Sequence, residues 1–526
     1  MEQADEQEFL ESGKIEIKMQ LNLGRVLKLE KNLVAVDAPS RQLTQTERFL
    51  QIRKSPGPQP ADGSSQPVEE RTFEYLLTES EEELVLQDEA LARSFTIFGV
   101  PGMGKTNLLM NMLEQFMAHE DRETHRYGAL IVDPKGAIAD DVESVARQTR
   151  RSKDLVRIDA IALQDKEHWV NIIDCGLDSA SIGLAILMAG KANGLELADG
   201  YWLMAGENLI GATHALLSLV NKRVPTLRTL FEVVGDERLL EQLITAAERH
   251  GLAGDAERDA RLHISKLQMI LEEPRTFRTV STALGNAFGV FRESAYQRYS
   301  KEYEREQVNA SGFYDAIVDE GKIVMVSPAP QELKGGPLVC AIIKSLFQAC
   351  VGSRLTWVRT GRLRNYSRPV LMMIDEYSDV ASDQEGRPFG DVSFVQKARA
   401  VGCGCIFATQ SKTLLEESGL TKVGVQKLLG LMAGYISLRL RDTPTVEEIE
   451  QQVGDEEVIV TTRGSSEGEG GRGSSVSHDK RDRSRIPKGI LTSKLEQGQA
   501  LFTGAIDKKS VRTEFVQTRL WRPIRS

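Results

Sequence analysis

The residues whose types and spacing could do chemistry begin at positions 98–110, FGVPGMGKTNLLM. Gly99, Gly104, Lys105 and Thr106 satisfy the pattern G-x-x-x-x-G-K-[ST], whose backbone N–H groups cradle phosphate. Gly99, Gly102, Met103 and Gly104 form the turn, and Asn107 continues the helix beyond it. Lys105 would reach the β- and γ-phosphates of a nucleotide, and Thr106 would ligate magnesium. The flanks agree with this. Positions 94–98, SFTIF, are a short apolar β-prone run, and apolar residues recur at helical spacing from Asn107 onward. A strand, a Gly-rich turn and a helix together aim N–H groups at an anion. The expected ligands are ATP and Mg2+.

A hydrolytic site needs a second half. LMMIDEY, 371–377, carries Asp375 to the end of an apolar strand, where it would hold the magnesium shell. Glu376 follows and would orient or deprotonate a water facing the γ-phosphate. LIVDPK, 130–135, is a rival, because Asp133 also ends an apolar strand. It has Pro134 in place of a second carboxylate, so Asp133 is read as structural or auxiliary and Lys135 as facing ligand or DNA. Gln410, at the end of IFATQS, would sense the γ-phosphate or position water. A charged transition state also favours a cation supplied by a neighbouring subunit, and Arg399 in QKARAVG is the candidate. The catalytic set is therefore Lys105, Glu376, Gln410 and Arg399.

The elements that must position these residues alternate. Apolar strand-like runs at 127–136, 155–160, 322–329, 368–381, 394–411 and 434–440 are each joined to turns or helices. Such alternation implies a mostly parallel sheet covered on both faces, an α/β fold. Between Ser179 and Tyr303 the pattern becomes helical, which reads as an all-helical insertion at 179–310. It separates a first core part, 72–178, from a second, 311–526. Residues 1–53 read as a small β-rich segment, 54–71 as a Pro/Gly/Ser-rich linker, and 463–485 as a low-complexity loop. The runs QALFTGA and SVRTEFVQTRLW look like two closing strands.

Bulk properties narrow the class. The 526 residues suit several domains, and 41% hydrophobic content is ample for buried cores. A net charge of −10 restricts any nucleic-acid surface to a local basic patch. The five cysteines contain no CxxC pair, which argues against a zinc site or a disulfide scaffold. No apolar run of about 18 residues stands out and the N-terminus is acidic and polar, so no transmembrane segment or signal peptide is expected. The expected location is the cytoplasm, with any membrane association through a partner.

Taken together, GVPGMGKT, LIVDPKG, NIID (171–174), MMIDEY and ARAVGCGCIFATQS resemble the conjugative type IV coupling-protein ATPases of the TraD/TraG type, in the FtsK/HerA superfamily of hexameric DNA pumps. The resemblance covers roughly residues 90–450 and implies a RecA-like core interrupted by an all-alpha domain. It implies that Arg399 acts across a subunit interface, that Gln410 is the family's glutamine, and that Arg93 is a second arginine position. It implies DNA and further copies of the chain as partners, with a relaxase, nuclease or secretion machinery beyond them. Most coupling proteins are anchored by N-terminal membrane helices, and here a β-rich segment and a linker stand in that place.

DNA contacts are sought in 352–368, GSRLTWVRTGRLRNYSR, which has five arginines and no acid, with Trp357 and Tyr366 interleaved. The candidates are Arg354, Arg359, Arg362 and Arg364, and the plain alternative is a solvated loop. Basic clusters at 147–157 and at Lys480, Arg481, Arg483 and Arg485 carry less weight. The reading is an ATP-driven DNA translocase working as a hexameric ring. The alternative is an ATP-dependent switch or scaffold that recruits a nuclease or relaxase without translocating. A small-molecule kinase fits poorly with the helical insertion and the late Asp-Glu strand.

Overall fold

The computed structural model describes residues 20–34, 72–87, 94–119, 126–159, 162–164, 168–197, 200–250, 254–301, 313–328, 335–363, 368–383, 390–468, 471–486, 489–507 and 509–523. The linker at 54–71 and Arg93, Arg364 and Tyr366 lie outside them.

In chain order the strands are β1 (Gln20–Val34), β2 (Thr72–Gln87), β3 (Phe95–Phe98), β4 (Gly128–Val132), β5 (Leu155–Asp159), β6 (Ile323–Ser327), β7 (Val370–Ile374), β8 (Cys403–Thr409), β9 (Gly434–Ser437), β10 (Asp455–Gly468), β11 (Gly471–Ser484), β12 (Gln499–Ala505) and β13 (Val511–Thr518). Eleven of them make one sheet in the order β2-β1-β13-β12-β9-β3-β8-β7-β4-β6-β5. The seven from β9 to β5 run parallel. The other four continue the sheet antiparallel.

Parallel strands covered on both faces should be apolar throughout, and β3, β4, β6, β7 and β8 are buried at every position. Their side chains alternate between two cores, as the period of two demands. On β7, Val370, Met372 and Ile374 enter one core and Leu371 and Met373 the other. Helices α1 (Lys105–Ala118) and α2 (Ala139–Gln148) supply much of the second core, through residues such as Leu109, Met112 and Val142.

The first core extends into a helical region: α3 (Ser179–Ala192), α4 (Gly200–Asn221), α5 (Leu227–Val234), α6 (Glu237–Glu248), α7 (Asp255–Leu271) and α8 (Pro274–Phe288). Asp178, Thr226 and Asp236 cap α3, α5 and α6 by accepting early backbone N–H groups. A Cβ on Gly183 would lie 2.8 Å from the Glu207 carbonyl oxygen, so α3 and α4 meet backbone to backbone there. Helices α9 (Phe313–Asp319) and α10 (Gly335–Gly352) return the chain to the sheet, followed by α11 (Arg354–Arg359), α12 (Asp391–Ala398), α13 (Lys412–Glu416), α14 (Lys422–Leu431) and α15 (Thr443–Val453).

Three expectations change, all of them about strands. The N-terminal strand β1 is not a separate β-rich unit, because it pairs with β13 and joins the main sheet. The strand β2 at the expected start of the core belongs to the same antiparallel extension. Within the expected loop at 463–485, residues 463–468 and 471–484 are strand: β10 and β11 form a two-stranded antiparallel ladder from Asp455↔Ser484 to Gly468↔Gly471. By length and composition alone, α4 and α10 would be long and apolar enough to cross a membrane. The most apolar windows of the two are 61% and 89% buried inside the fold, which is how core helices behave.

Candidate active site

Gly102 and Gly104 have φ of +80° and +101°, values that side chains with a Cβ adopt only under strain. These two glycines let the chain turn from β3 into α1. Gly104 stands at the N-cap of α1 and no side chain caps it, so the first N–H groups of the helix face outward as an anion site requires. A second turn braces the loop, since the Gly498 N–H donates to the Met103 carbonyl at 3.1 Å. The Lys105 ammonium donates to the Gly99 carbonyl at 2.7 Å and lies 3.9 Å from Glu376. Burial lowers the pKa of Lys105, against the opposing pull of Glu376 and Asp375. An incoming phosphate would relieve that penalty.

Because β8 lies between β3 and β7, the residues that follow all three strands share one edge of the sheet. Asp375 and Glu376 follow β7, and Gln410 follows β8. Thr106 Oγ1 stands 3.5 Å from Asp375 Oδ2. Two oxygens sharing an octahedral Mg2+ at about 2.1 Å stand about 3 Å apart, so this pair fits that ion. The charge balance fits as well. Burial, then Glu376 and Asp133, raise the Asp375 pKa from 3.8 to about 6, a penalty that a divalent cation would remove.

Glu376 is buried, and its backbone is left-handed at φ 48°, ψ 53°. Such a conformation is uncommon for a residue with a side chain and gathers at functional sites. Gln410 Nε2 donates to the two Glu376 oxygens at 3.3 and 3.2 Å. Lys135 Nζ is 2.8 Å from Glu376 Oε1, a partnership that the sequence reading missed.

Asp133 is fully engaged by its own turn. Its carboxylate accepts from the N–H groups of Lys135, Ala137 and Ile138 at 3.1, 2.5 and 2.9 Å, and from the Ser327 hydroxyl at 3.1 Å. It builds the 133–138 turn, and Asp375 is the carboxylate left facing the phosphate loop.

Arg399 does not join this cluster. It is exposed and precedes β8, whereas Gln410 follows it. The seven residues of β8, at about 3.3 Å each, hold the two roughly 20 Å apart. From there Arg399 cannot reach the phosphate site of its own chain.

Two of the arginines proposed to touch DNA are corrected. Arg354 is fully buried, and its guanidinium donates to the Val401 carbonyl at 3.1 Å. Arg362 donates to the carbonyls of Gly176 and Cys175 and to Asp315, and stacks 3.5 Å from the Trp357 ring centre. Both guanidinium groups are engaged by acceptors of the protein itself. Arg359, at the end of α11, is exposed. Arg151, in the 147–157 cluster, is also buried, donating to the Tyr127 carbonyl. All five cysteines are buried thiols. No group of three or more His, Cys, Asp or Glu that could hold a metal is found among the described residues.

Behind Glu376 lies a second ionic cluster without solvent access. Lys344 on α10 donates to both Asp391 oxygens at 2.7 Å. Gln348, the Tyr377 hydroxyl and the Ser382 N–H donate to the same carboxylate. This satisfies the buried pair completely.

Comparison with known proteins follows the same lines. Residues 369–494 match the family described as the TraM recognition site of TraD and TraG. Among curated proteins, none matches the chain by sequence. Among solved structures, an unbound monoclinic form of the bacterial conjugative coupling protein TrwB is 14% identical, covering 84% of this chain and 89% of that one with a TM-score of 0.54. The plasmid coupling protein TrwB in complex with ADP and Mg2+ is 15% identical, covering 83% of this chain and 87% of that one, also at 0.54. TrwB with a non-hydrolysable ATP analogue is likewise 15% identical, at 83%, 88% and 0.54. The α/β fold is thus that of these coupling-protein structures, and residues 369–494 carry the segment described as the TraM recognition site of TraD and TraG.

Proposed function

We propose that the chain is an ATP-hydrolysing DNA translocase that works as a ring of about six copies. The observation that carries this reading is the convergence of Lys105, Thr106, Asp375, Glu376 and Gln410 on one edge of the parallel sheet. Solved TrwB complexes with ADP and Mg2+ and with an ATP analogue support the same ligands here.

In this reading Lys105 would leave the Gly99 carbonyl for the β- and γ-phosphates, and Thr106 and Asp375 would hold Mg2+. The bound ion would neutralise charge on the phosphate oxygens. Glu376 orients the attacking water and takes its proton, and Gln410 holds the Glu376 carboxylate in line. Arg399, too far from its own site, serves the site of the next copy in the ring. Arg359 is the remaining described candidate for DNA contact on α11. The protein works in the cytoplasm and meets the membrane through a partner.

The match of residues 369–494 to a TraM recognition site supports a second reading, in which nucleotide binding switches the docking of a partner such as a relaxase or nuclease. Roadblocked duplex separates the two. A translocase displaces streptavidin from a biotinylated end with ATP, and Glu376→Gln abolishes this. ATP consumption without displacement would leave the switch. Mixing Arg399→Ala with Lys105→Ala should restore part of the turnover, and no recovery would contradict a shared site.

A further inference from the structure

Both oxygens of Glu376 already have partners. Lys135 Nζ meets Oε1 at 2.8 Å, and Gln410 Nε2 meets both within 3.3 Å. These contacts take three of the carboxylate's about four lone-pair sites, and the ammonium draws on the negative charge that would activate a water. Lys105 stands farther off, at 3.9 Å, and has the Gly99 carbonyl as its nearer partner.

The backbone of Lys135 is held by its turn. β4 and β7 are adjacent and parallel, with Val132 opposite Ile374, so the segments leaving them start side by side. Asp133 then fixes the turn by accepting the N–H groups of Lys135, Ala137 and Ile138. The turn thereby carries the Lys135 ammonium to Glu376. The carboxylate is buried, whereas the Lys135 side chain is 47% exposed. One end of the contact is therefore fixed, and the other can swing into solvent.

We infer that Lys135 is a clamp on Glu376: its ammonium occupies the carboxylate until a phosphate group draws it away, and hydrolysis is slow while the clamp is closed. The inference rests on the reading of Glu376 as the residue that activates water. The phosphate can come from bound ATP or from the DNA backbone. Lys135 is a positioning residue that acts on the reaction through Glu376, and Asp133 acts through Lys135.

The test is steady-state ATP hydrolysis by the full chain, with and without DNA, for wild type, Lys135→Met, Lys135→Arg, Glu376→Gln and the Lys135→Met/Glu376→Gln double variant. Thermal melting confirms that each is folded. Lys135→Met should raise DNA-free turnover about two- to fivefold, the range that releasing a half-exposed ion pair allows. Its KM for ATP should stay within about twofold. Lys135→Arg keeps the charge and should keep the low rate. The double variant should be as slow as Glu376→Gln.

If DNA no longer stimulates Lys135→Met, the DNA backbone opens the clamp. If the stimulation factor survives on top of the raised basal rate, the γ-phosphate of bound ATP opens the clamp only part of the time and DNA acts elsewhere. Either result supports the clamp. Unchanged or reduced DNA-free turnover in Lys135→Met overturns it, a reduction meaning that Lys135 serves the chemistry directly. A Glu376→Gln protein as fast as wild type would instead overturn the assignment of Glu376.

Discussion

β4 and β7 are neighbours, run in the same direction and end in aspartates at matching register, yet the two carboxylates sit in opposite conditions. Asp133 accepts four hydrogen bonds from its own turn and from Ser327. Asp375 accepts the Glu376 N–H, faces Thr106 at 3.5 Å and has its pKa raised to about 6. A saturated carboxylate builds structure, and an unsaturated one beside a phosphate loop is available for an ion. Asp391 extends the contrast, since Lys344, Gln348, Tyr377 and Ser382 saturate it completely.

The contrast can be broken most sharply at Glu376. Glu376→Gln should cut hydrolysis by about a hundredfold to ten-thousandfold and keep ATP binding, measured by turnover beside equilibrium titration. Asp391→Ala should act on stability instead. It strands the buried Lys344 ammonium and should cost about 3–5 kcal/mol in denaturant unfolding.

Asp375 makes a prediction in pH. Its folded pKa lies above the ordinary 3.8, so the folded state without ligands binds the extra proton between about pH 4 and pH 6. Stability from this group is present below pH 4 and lost as pH rises through about 6, by at most about 3 kcal/mol. Urea unfolding across that range should show the slope, and Asp375→Asn should flatten it. Mg2+ should bind more weakly below about pH 6 than above it.

Asp133→Ala leaves three backbone N–H groups of the turn without their acceptor and should cost about 1–3 kcal/mol. The smallest effect is expected at Arg359. Arg359→Ala should change stability by no more than about 0.5 kcal/mol while lowering the salt slope of DNA binding by about one.

What could be read from the sequence depended on how far apart the partners lie. The phosphate loop was legible because its glycines, Lys105 and Thr106 are consecutive and their chemistry is local. The Asp375-Glu376 pair was legible because a strand end and an adjacent carboxylate are both local signals. Arg354 and Arg362 were misread because their acceptors, the carbonyls of Cys175, Gly176 and Val401 and the Asp315 carboxylate, lie 47 to 187 positions away. Lys135 was placed near ligand, but its pairing with Glu376 depends on β4 and β7 being neighbours, which no local pattern encodes. The same holds for β1, whose partner β13 is at the other end of the chain. The Gly/Ser-rich sequence of 463–485 has no apolar alternation to announce strands, and the β10–β11 ladder is made by backbone pairing.

The most direct measurement is steady-state ATP hydrolysis with and without DNA, with the mass of the assembly read by mass photometry under the same conditions. The account predicts turnover that rises with DNA in a species of about six copies. Slow, DNA-indifferent turnover in a monomer or dimer would contradict it.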